Sequence, residues 1–549
     1  MIIAGNLFEL ETGKYNLMQE ETRKSNSIGS KAKNKTYLRS FIIFGFILIL
    51  GIGLRFYDLG TESFWLDEVA TTIEAQQSIQ EILMSGRMDQ PPAYYFLMHF
   101  WVQIFGISEV SLRSFSALAG VGSIILIFLV GRKLYGIEIG LLSAFFIAIS
   151  DFQILFSQEA RNYSFFEFTA LLSFLFFILY LNSNKQFHYI LYIVFSIFMV
   201  YANAYGICIL AAQNLYIFLQ IKRYKNVISS WIISQTLILI AIIPYFSPLI
   251  FSNNGIESTI AENLSGVLPP SFSNVIRSIY RFIFPPRRYF GEDMGWDSSI
   301  LITYGVACVF LLTGTLIYAF RQGIRNWLTD FKKTIDSLLE DIDLNNTLLV
   351  SIWLLCPLIL LFLISKLIMP IYEHRYVISA APALYILLAL GVFLLRKVIP
   401  LLVSVGAVLI LVIPGLTYYY IADVREQWRE VAAFMEANAE KDEVFVFAPN
   451  DSSVNTGNQL LAFNYYYQGN LPSCGIGPDE LTDIEVWEKL NQCILGHDRF
   501  WVIVRQTTFA TTNYNRYETF FLAPTQTAFH LVEEEHFHDI TAYLFDIVE

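Results

Sequence analysis

The chain has 549 residues, 55% of them hydrophobic and only 15% charged, with a mean hydropathy of +0.49. A water-soluble domain is roughly a quarter charged, so this composition excludes a soluble globular enzyme and calls for lipid as a second solvent. The net charge of −12 sits mostly in the C-terminal part and argues against a nucleic-acid partner.

Residues 1–39 read as a polar tail without a cleavable signal, since no small-residue cleavage site follows the first apolar run. Arg23, Lys24, Lys31, Lys33, Lys35 and Arg39 place this end in the cytoplasm. The apolar run 41–56 is then a first span running outward, and 56–110 is an external excursion. Within it Val69, Ile73, Ile82 and Leu83 fit one face of a helix lying along the interface. PPAYYFLMHFWVQIFG (91–106) is short for a span and opens with the proline pair that suits a helix start. Read as a surface helix, it leaves the basic turn GRKLYG (131–136) inside, as the positive-inside bias prefers.

Further spans are expected at 112–131, 137–151, 164–182, 188–203, 205–221, 227–250, 299–320, 347–366, 377–395 and 399–419, making eleven. Under this count each short basic turn between spans is cytoplasmic, whereas the turn 151–163 and the loop 251–298 lie outside. Residues 40–419 form the membrane domain. Residues 420–549 form an extracytoplasmic domain in which QWREVAAFMEANAEKDEVFVFAP and DIEVWEKLNQCILGHDRFWVIVRQ each read as helix then strand, a small α/β unit with a partly parallel sheet. No glycine-rich phosphate loop accompanies those strands, so this domain is assigned no catalysis. Cys208, Cys308 and Cys356 lie in apolar spans. Cys474 and Cys493, in the polar domain, are either a disulfide or two free thiols.

The acidic pair Asp67-Glu68 stands just beyond the first span, where membrane and water meet. Asp67 either caps a helix beginning at Glu68 or serves as a base that takes a proton from an acceptor hydroxyl. Asp89 and Gln90 precede Pro91-Pro92, with Tyr94 and Tyr95 one turn on; these residues either start a helix or surround a sugar. Arg113, Arg161, Arg287, Arg288 and Arg375 are cations on the same expected membrane side as Asp67. Arginine at that depth either snorkels to the interface or grips a lipid phosphate with its forked donors.

Taken together, RFYDLGTESFWLDE, DQPPAYYFLMHFWVQIFGISEVSLRSFSALAG and FSQEARNYS resemble the bacterial branch of the polyprenyl-phosphate-sugar glycosyltransferases. That group includes the protein O-mannosyltransferases and the lipid A aminoarabinose transferase and has the GT-C fold. HRYVISAAPALYILLALG (374–391) and QWREVAAFMEANAEKDEVFVF (427–447) are similar as well. The resemblance implies a multi-pass helical membrane protein in the cell envelope and an inverting transfer. The sugar comes from a polyprenyl-phosphate donor, and the acceptor is a glycan, lipid or protein. It implies that Asp67, with Glu68 beside it, deprotonates the acceptor while arginines stabilise the leaving phosphate, Arg113 first and Arg161 second.

Two departures stand out. Relatives often carry His or Lys where this chain has Gln90, and many carry an Asp shortly after the arginine of the SQEAR stretch, where this chain continues NYSFF. A second carboxylate is therefore missing unless Glu159 or Asp151 replaces it. Participation of a divalent cation stays open, with Glu68, Asp89 and His374 as candidate ligands and no zinc-type spacing. Two alternatives compete with the enzyme: a lipid-linked glycan flippase, which would place charges mid-span, and a non-catalytic envelope glycan assembly component with a degenerate acidic pair.

Overall fold

The computed structural model describes residues 37–84, 91–183, 185–251, 269–283, 343–368, 370–395, 400–421, 425–450, 458–477, 482–505, 514–523 and 528–548. Among these, seven helices are long and apolar enough to cross a membrane: Tyr37–Phe56, Glu109–Tyr135, Tyr163–Ser183, Lys225–Ser247, Leu344–Leu367, His374–Leu394 and Leu401–Ile421. Gln186–Ala202 and Gly206–Leu219 are shorter apolar helices, and Ile137–Ile149 with Asp151–Ser157 forms a pair bent by 63°. The chain is thus a helical, multi-pass membrane protein. The span expected at 299–320 and the tail 1–36 lie outside the described residues.

The turn expected at 151–163 is instead partly helical and buried. Phe152, Ile154, Leu155 and Phe156 give it an apolar surface that packs into the bundle. Ser150, extended at φ −66° and ψ 120°, breaks the preceding helix, and its Oγ accepts from the Gln153 amide to start the next. The basic turn GRKLYG is also more helical than expected, because Glu109–Tyr135 runs on to Gly136, whose φ of +100° suits glycine and stops the helix. The return helix then crosses so closely that a Cβ at Gly140 would lie 2.7 Å from the Phe128 carbonyl oxygen.

In the first polar excursion the chain makes two helices, Leu66–Ala75 and Ile79–Met84, followed by Pro92–Phe105. Val69 and Ile82 are buried as one apolar face requires, but Leu83 is exposed, the expected single helix being broken between Ala75 and Ile79. C-terminal to Ile421, a five-stranded sheet has the order β2-β1-β3-β5-β4, with β1 Val444–Phe447, β2 Ser473–Gly475, β3 Arg499–Arg505, β4 Phe529–Phe537 and β5 Ile540–Ile547. β2, β1 and β3 are parallel, as the two helix–strand units imply, and the hairpin β4–β5 closes the sheet antiparallel. Cys474 and Cys493 form a disulfide between β2 and the Asp483–Ile494 helix.

One apolar core joins the sheet domain to the membrane-edge loop. Phe64, Leu66, Val69, Tyr94 and Leu112 pack in the same cluster as Trp428, Phe445, Phe463 and Trp501. This continuity positions the site.

Candidate active site

The Leu66–Ala75 helix begins after Trp65, and no side chain caps it. Asp67 therefore does not act as a cap; with Glu68 it occupies the first turn, where the helix dipole favours negative charge. Successive residues of one turn point in different directions, and the two carboxylates have different fates.

Glu68 is fully buried. Arg113 Nε donates to its Oε1 at 2.9 Å and Nη2 to its Oε2 at 2.6 Å, while the Ala160 amide donates to Oε1 at 2.8 Å. Burial pushes the Glu68 pKa up. The charge and forked bonds of Arg113, helped by Arg425 and the Ala160 amide, outweigh burial and hold it below the ordinary carboxylate value. Arg113 also donates to the carbonyls of Leu59 and Glu62 at 2.8 Å and of Ser63 at 2.9 Å. Those contacts use all five of its N–H groups. Arg113 thus ties the first loop to the Glu109–Tyr135 helix and keeps no donor for a phosphate.

Asp67 is different. Its side chain retains 9% exposure, and Oδ2 lies 3.9 Å from Arg161 Nη2 and 3.6 Å from Arg375 Nη1. These distances are beyond hydrogen bonding, so both guanidinium groups reach the carboxylate electrostatically without saturating it. Arg161 is oriented by Tyr95, whose hydroxyl accepts from Nη1 at 3.2 Å, and by the Asp67 carbonyl at 3.3 Å. Arg375 is held over the rings of Tyr163 and Tyr376, 5.8 and 5.4 Å from their centroids. Tyr94 points elsewhere: it packs against Tyr95, Phe115 and Phe165 and lies 3.4 Å from Ser116 Oγ, a core role.

The turn 158–162 between two helices presents Arg161 and is pinned on both sides. Gln158 donates to the carbonyls of Leu54, Arg55 and Tyr57 at 3.2, 3.3 and 2.8 Å and accepts from Tyr419 at 2.5 Å. Arg425 then donates to the Gln158 carbonyl at 3.0 Å and pairs with Glu62 at 3.1 Å. Arg425 lies in none of the motifs read from the sequence, and Gln158, inside FSQEARNYS, carries no role there; both roles become visible only where four chain segments meet. Arg55 is a third such residue, donating to the carbonyls of Ile147 and Ala148 at 2.9 and 3.1 Å at the end of a helix.

Asp89, Gln90, Arg287 and Arg288 lie outside the described residues. Among the described residues no group of three or more His, Cys, Asp or Glu converges on a metal-sized site. Of the candidate ligands, Glu68 is taken by Arg113, and His374 lies beside Glu373 at 3.4 Å and against Arg281. An open cleft on the sheet domain, lined by Glu436, Lys441, Tyr467 and Asn470 among others, shares no residue with the Asp67 cluster.

Residues 89–251 match the family model described as dolichyl-phosphate-mannose-protein mannosyltransferase. An uncharacterised protein of Aquifex aeolicus (strain VF5) is 24% identical over 233 residues, 40% of this chain; the match spans only 47% of that relative's length. The crystal structure of ArnT from Cupriavidus metallidurans bound to undecaprenyl phosphate is similar with a TM-score of 0.50 at 11% identity, covering 91% of this chain and 97% of that one. The Archaeoglobus fulgidus oligosaccharyltransferase in complex with Zn and sulfate reaches a TM-score of 0.45 at 12% identity, over 84% of this chain and 68% of that one. Residues 89–251 thus match that mannosyltransferase family model, and the chain shares the fold of the ArnT structure.

Proposed function

We propose that the protein transfers a sugar from a polyprenyl-phosphate donor to an acceptor hydroxyl on the extracytoplasmic face, with inversion and with Asp67 as base. The observation that carries this reading is the arrangement around Asp67: one carboxylate, slightly open to solvent, with two oriented guanidinium groups within 4 Å of the same oxygen. Asp67 takes the proton of the acceptor O–H as that oxygen attacks the anomeric carbon. The bond from that carbon to the phosphate oxygen breaks, and its electron pair stays on the phosphate. Arg161 and Arg375 then face the charge that develops there, in a site where water is scarce. Arg113, saturated by Glu68 and three carbonyls, holds the loop that carries Asp67 in place. Glu68 supports Arg113 in turn, and Tyr95 orients Arg161. Asp89, Gln90, Arg287 and Arg288 remain proposed substrate contacts, the first two for the sugar and the arginines for the donor phosphate.

The same reading places residues 1–39 in the cytoplasm and the sheet domain outside. The Cys474–Cys493 disulfide supports that side, since disulfides persist in oxidising compartments. The clustering of Asp67, Arg161 and Arg375 around one point favours transfer over a flippase, whose charges would be spread along the spans. The test is transfer from radiolabelled polyprenyl-phosphate hexoses to a membrane extract by purified protein in lipid. Asp67→Asn should lower it by roughly 10²–10⁴-fold. Full activity in that variant would sink Asp67 as the base.

A further inference from the structure

Arg375 is held without hydrogen bonds. Among the described residues its guanidinium lies over the rings of Tyr163 and Tyr376, 5.8 and 5.4 Å from their centroids, and 3.6 Å from Asp67 Oδ2, and its Nε is buried without a partner. Its five N–H groups are therefore unspent. The tyrosines beside it share this property. Tyr205 stacks on Tyr376 with ring centroids 4.6 Å apart, and the Tyr163 ring lies 6.3 Å from that of Tyr376. None of these three hydroxyls has a hydrogen-bond partner among the described residues. By contrast, Tyr192 donates to Gln213, Tyr372 to Ser278, Tyr385 to the Phe282 carbonyl and Tyr419 to Gln158. Tyr205 and Tyr376 are half-buried, and their hydroxyl oxygens are not enclosed. Unpaired polar groups gathered at one open place call for a ligand that pairs them.

We propose that Tyr376 and Tyr205 form the wall that reads the sugar of the donor, their hydroxyls bonding sugar hydroxyls away from the reacting carbon while Arg375 takes the phosphate. The proposal rests on the transferase reading above. Three distant segments build the wall. Tyr163 opens the Tyr163–Ser183 helix, Tyr205 precedes the Gly206–Leu219 helix with its amide donating to Asn203 Oδ1 at 3.0 Å, and Tyr376 lies in the 3₁₀ segment His374–Ala380. Contact by contact, the order is Asp67, Arg375, Tyr376, Tyr205. A donor with its phosphate on Arg375 and its anomeric carbon beside Asp67 then lays the rest of its sugar ring toward the tyrosines. A phenol hydroxyl both donates and accepts, as a sugar hydroxyl does, so the two pair without burying a charge. A site built to bond a hydroxyl rejects a ligand that lacks it, because the site's own polar groups then stay unpaired. The ligand class is a lipid-linked sugar that keeps free hydroxyls.

The experiment measures equilibrium binding to the full-length protein in lipid nanodiscs. The probes are polyprenyl phosphate and polyprenyl-phosphate mannose, glucose and galactose, all in an Asp67→Asn background so that no donor is consumed. A hexosyl lipid should bind more tightly than the bare phosphate. Tyr205→Phe and Tyr376→Phe keep the rings and the stack; each should weaken that hexosyl lipid by up to roughly tenfold and leave the bare phosphate unchanged. Arg375→Ala should weaken both ligands. If Tyr376→Phe does not fold, Tyr205→Phe carries the test. No preference for any hexosyl lipid over the bare phosphate overturns the proposal. Equal loss of both ligands in the Phe variants, the mark of a merely structural role, overturns it too. Unchanged hexosyl binding in those variants, with transfer intact in the protein that keeps Asp67, overturns the wall and leaves the transferase reading standing. Sugar-dependent loss in a protein that transfers no sugar with Asp67 in place overturns the transferase reading instead and leaves the wall standing.

Discussion

Adjacent residues on one helical turn do different work here. Glu68 is a buried anchor, and Asp67 is the reactive candidate. Removing the Glu68 charge leaves Arg113 buried without its counter-ion, so Glu68→Gln should destabilise the protein by roughly 3–5 kcal/mol, read as a lower unfolding midpoint in detergent. The pH dependence has a definite sign. The folded Glu68 pKa lies below the ordinary value, so its contribution to stability is present above the usual carboxylate range and is lost as pH falls through the depressed value. A melting profile that is flat through that acid range would contradict this. Arg161→Ala and Arg375→Ala should reduce transfer by roughly 10²–10³-fold each.

At the scale of elements, two contacts depend on local geometry that tolerates little change. A Cβ added at Gly140 would lie 2.7 Å from the Phe128 carbonyl oxygen and 2.9 Å from the Arg132 amide nitrogen, where neither backbone neighbour can yield. Gly140→Val should cost about 1–3 kcal/mol through overpacking, measured as reduced folded yield and a lower melting midpoint. In the sheet domain the disulfide closes a separation of 19 residues between β2 and the Asp483–Ile494 helix. The double variant Cys474→Ser, Cys493→Ser should lose about 3 kcal/mol on chain-entropy grounds. The bent pair Ile137–Ile149 and Asp151–Ser157 shows why this turn was not legible: an apolar stretch between two spans reads as a loop with hydrophobic residues, and only packing reveals that it folds back into the bundle.

Across the whole molecule, the soluble domain and the membrane edge behave as one body. Ser63 Oγ donates to the Glu426 carbonyl at 2.6 Å, the Tyr466 hydroxyl accepts from the Phe64 amide at 2.7 Å and donates to Glu109 at 2.8 Å, and Tyr465 donates to the Ile107 carbonyl at 2.9 Å. The orientation proposed above can be tested at exposed positions on either side. In a background without Cys208, Cys308 and Cys356, a membrane-impermeant maleimide should label Lys133→Cys only from inside and Glu488→Cys only from outside. Labelling of both from the same side would overturn the topology.

Solvent explains how much was readable. Lipid demands long apolar helices, so the membrane class, the places of the described spans and the helix–strand units of the sheet domain are written in hydropathy and periodicity. The acidic pair and the arginines stand out because charge beside lipid is costly without a partner. Which charge pairs with which is not local information. Arg113 and Arg161 look equivalent along the chain, yet the fold saturates one with Glu68 and three carbonyls and leaves the other 3.9 Å from Asp67. Arg375 and Arg425 reach the neighbourhood of the first loop from distant segments, Arg375 through the helix bundle against Tyr163 and Tyr376 and Arg425 through the segment leading into the sheet domain.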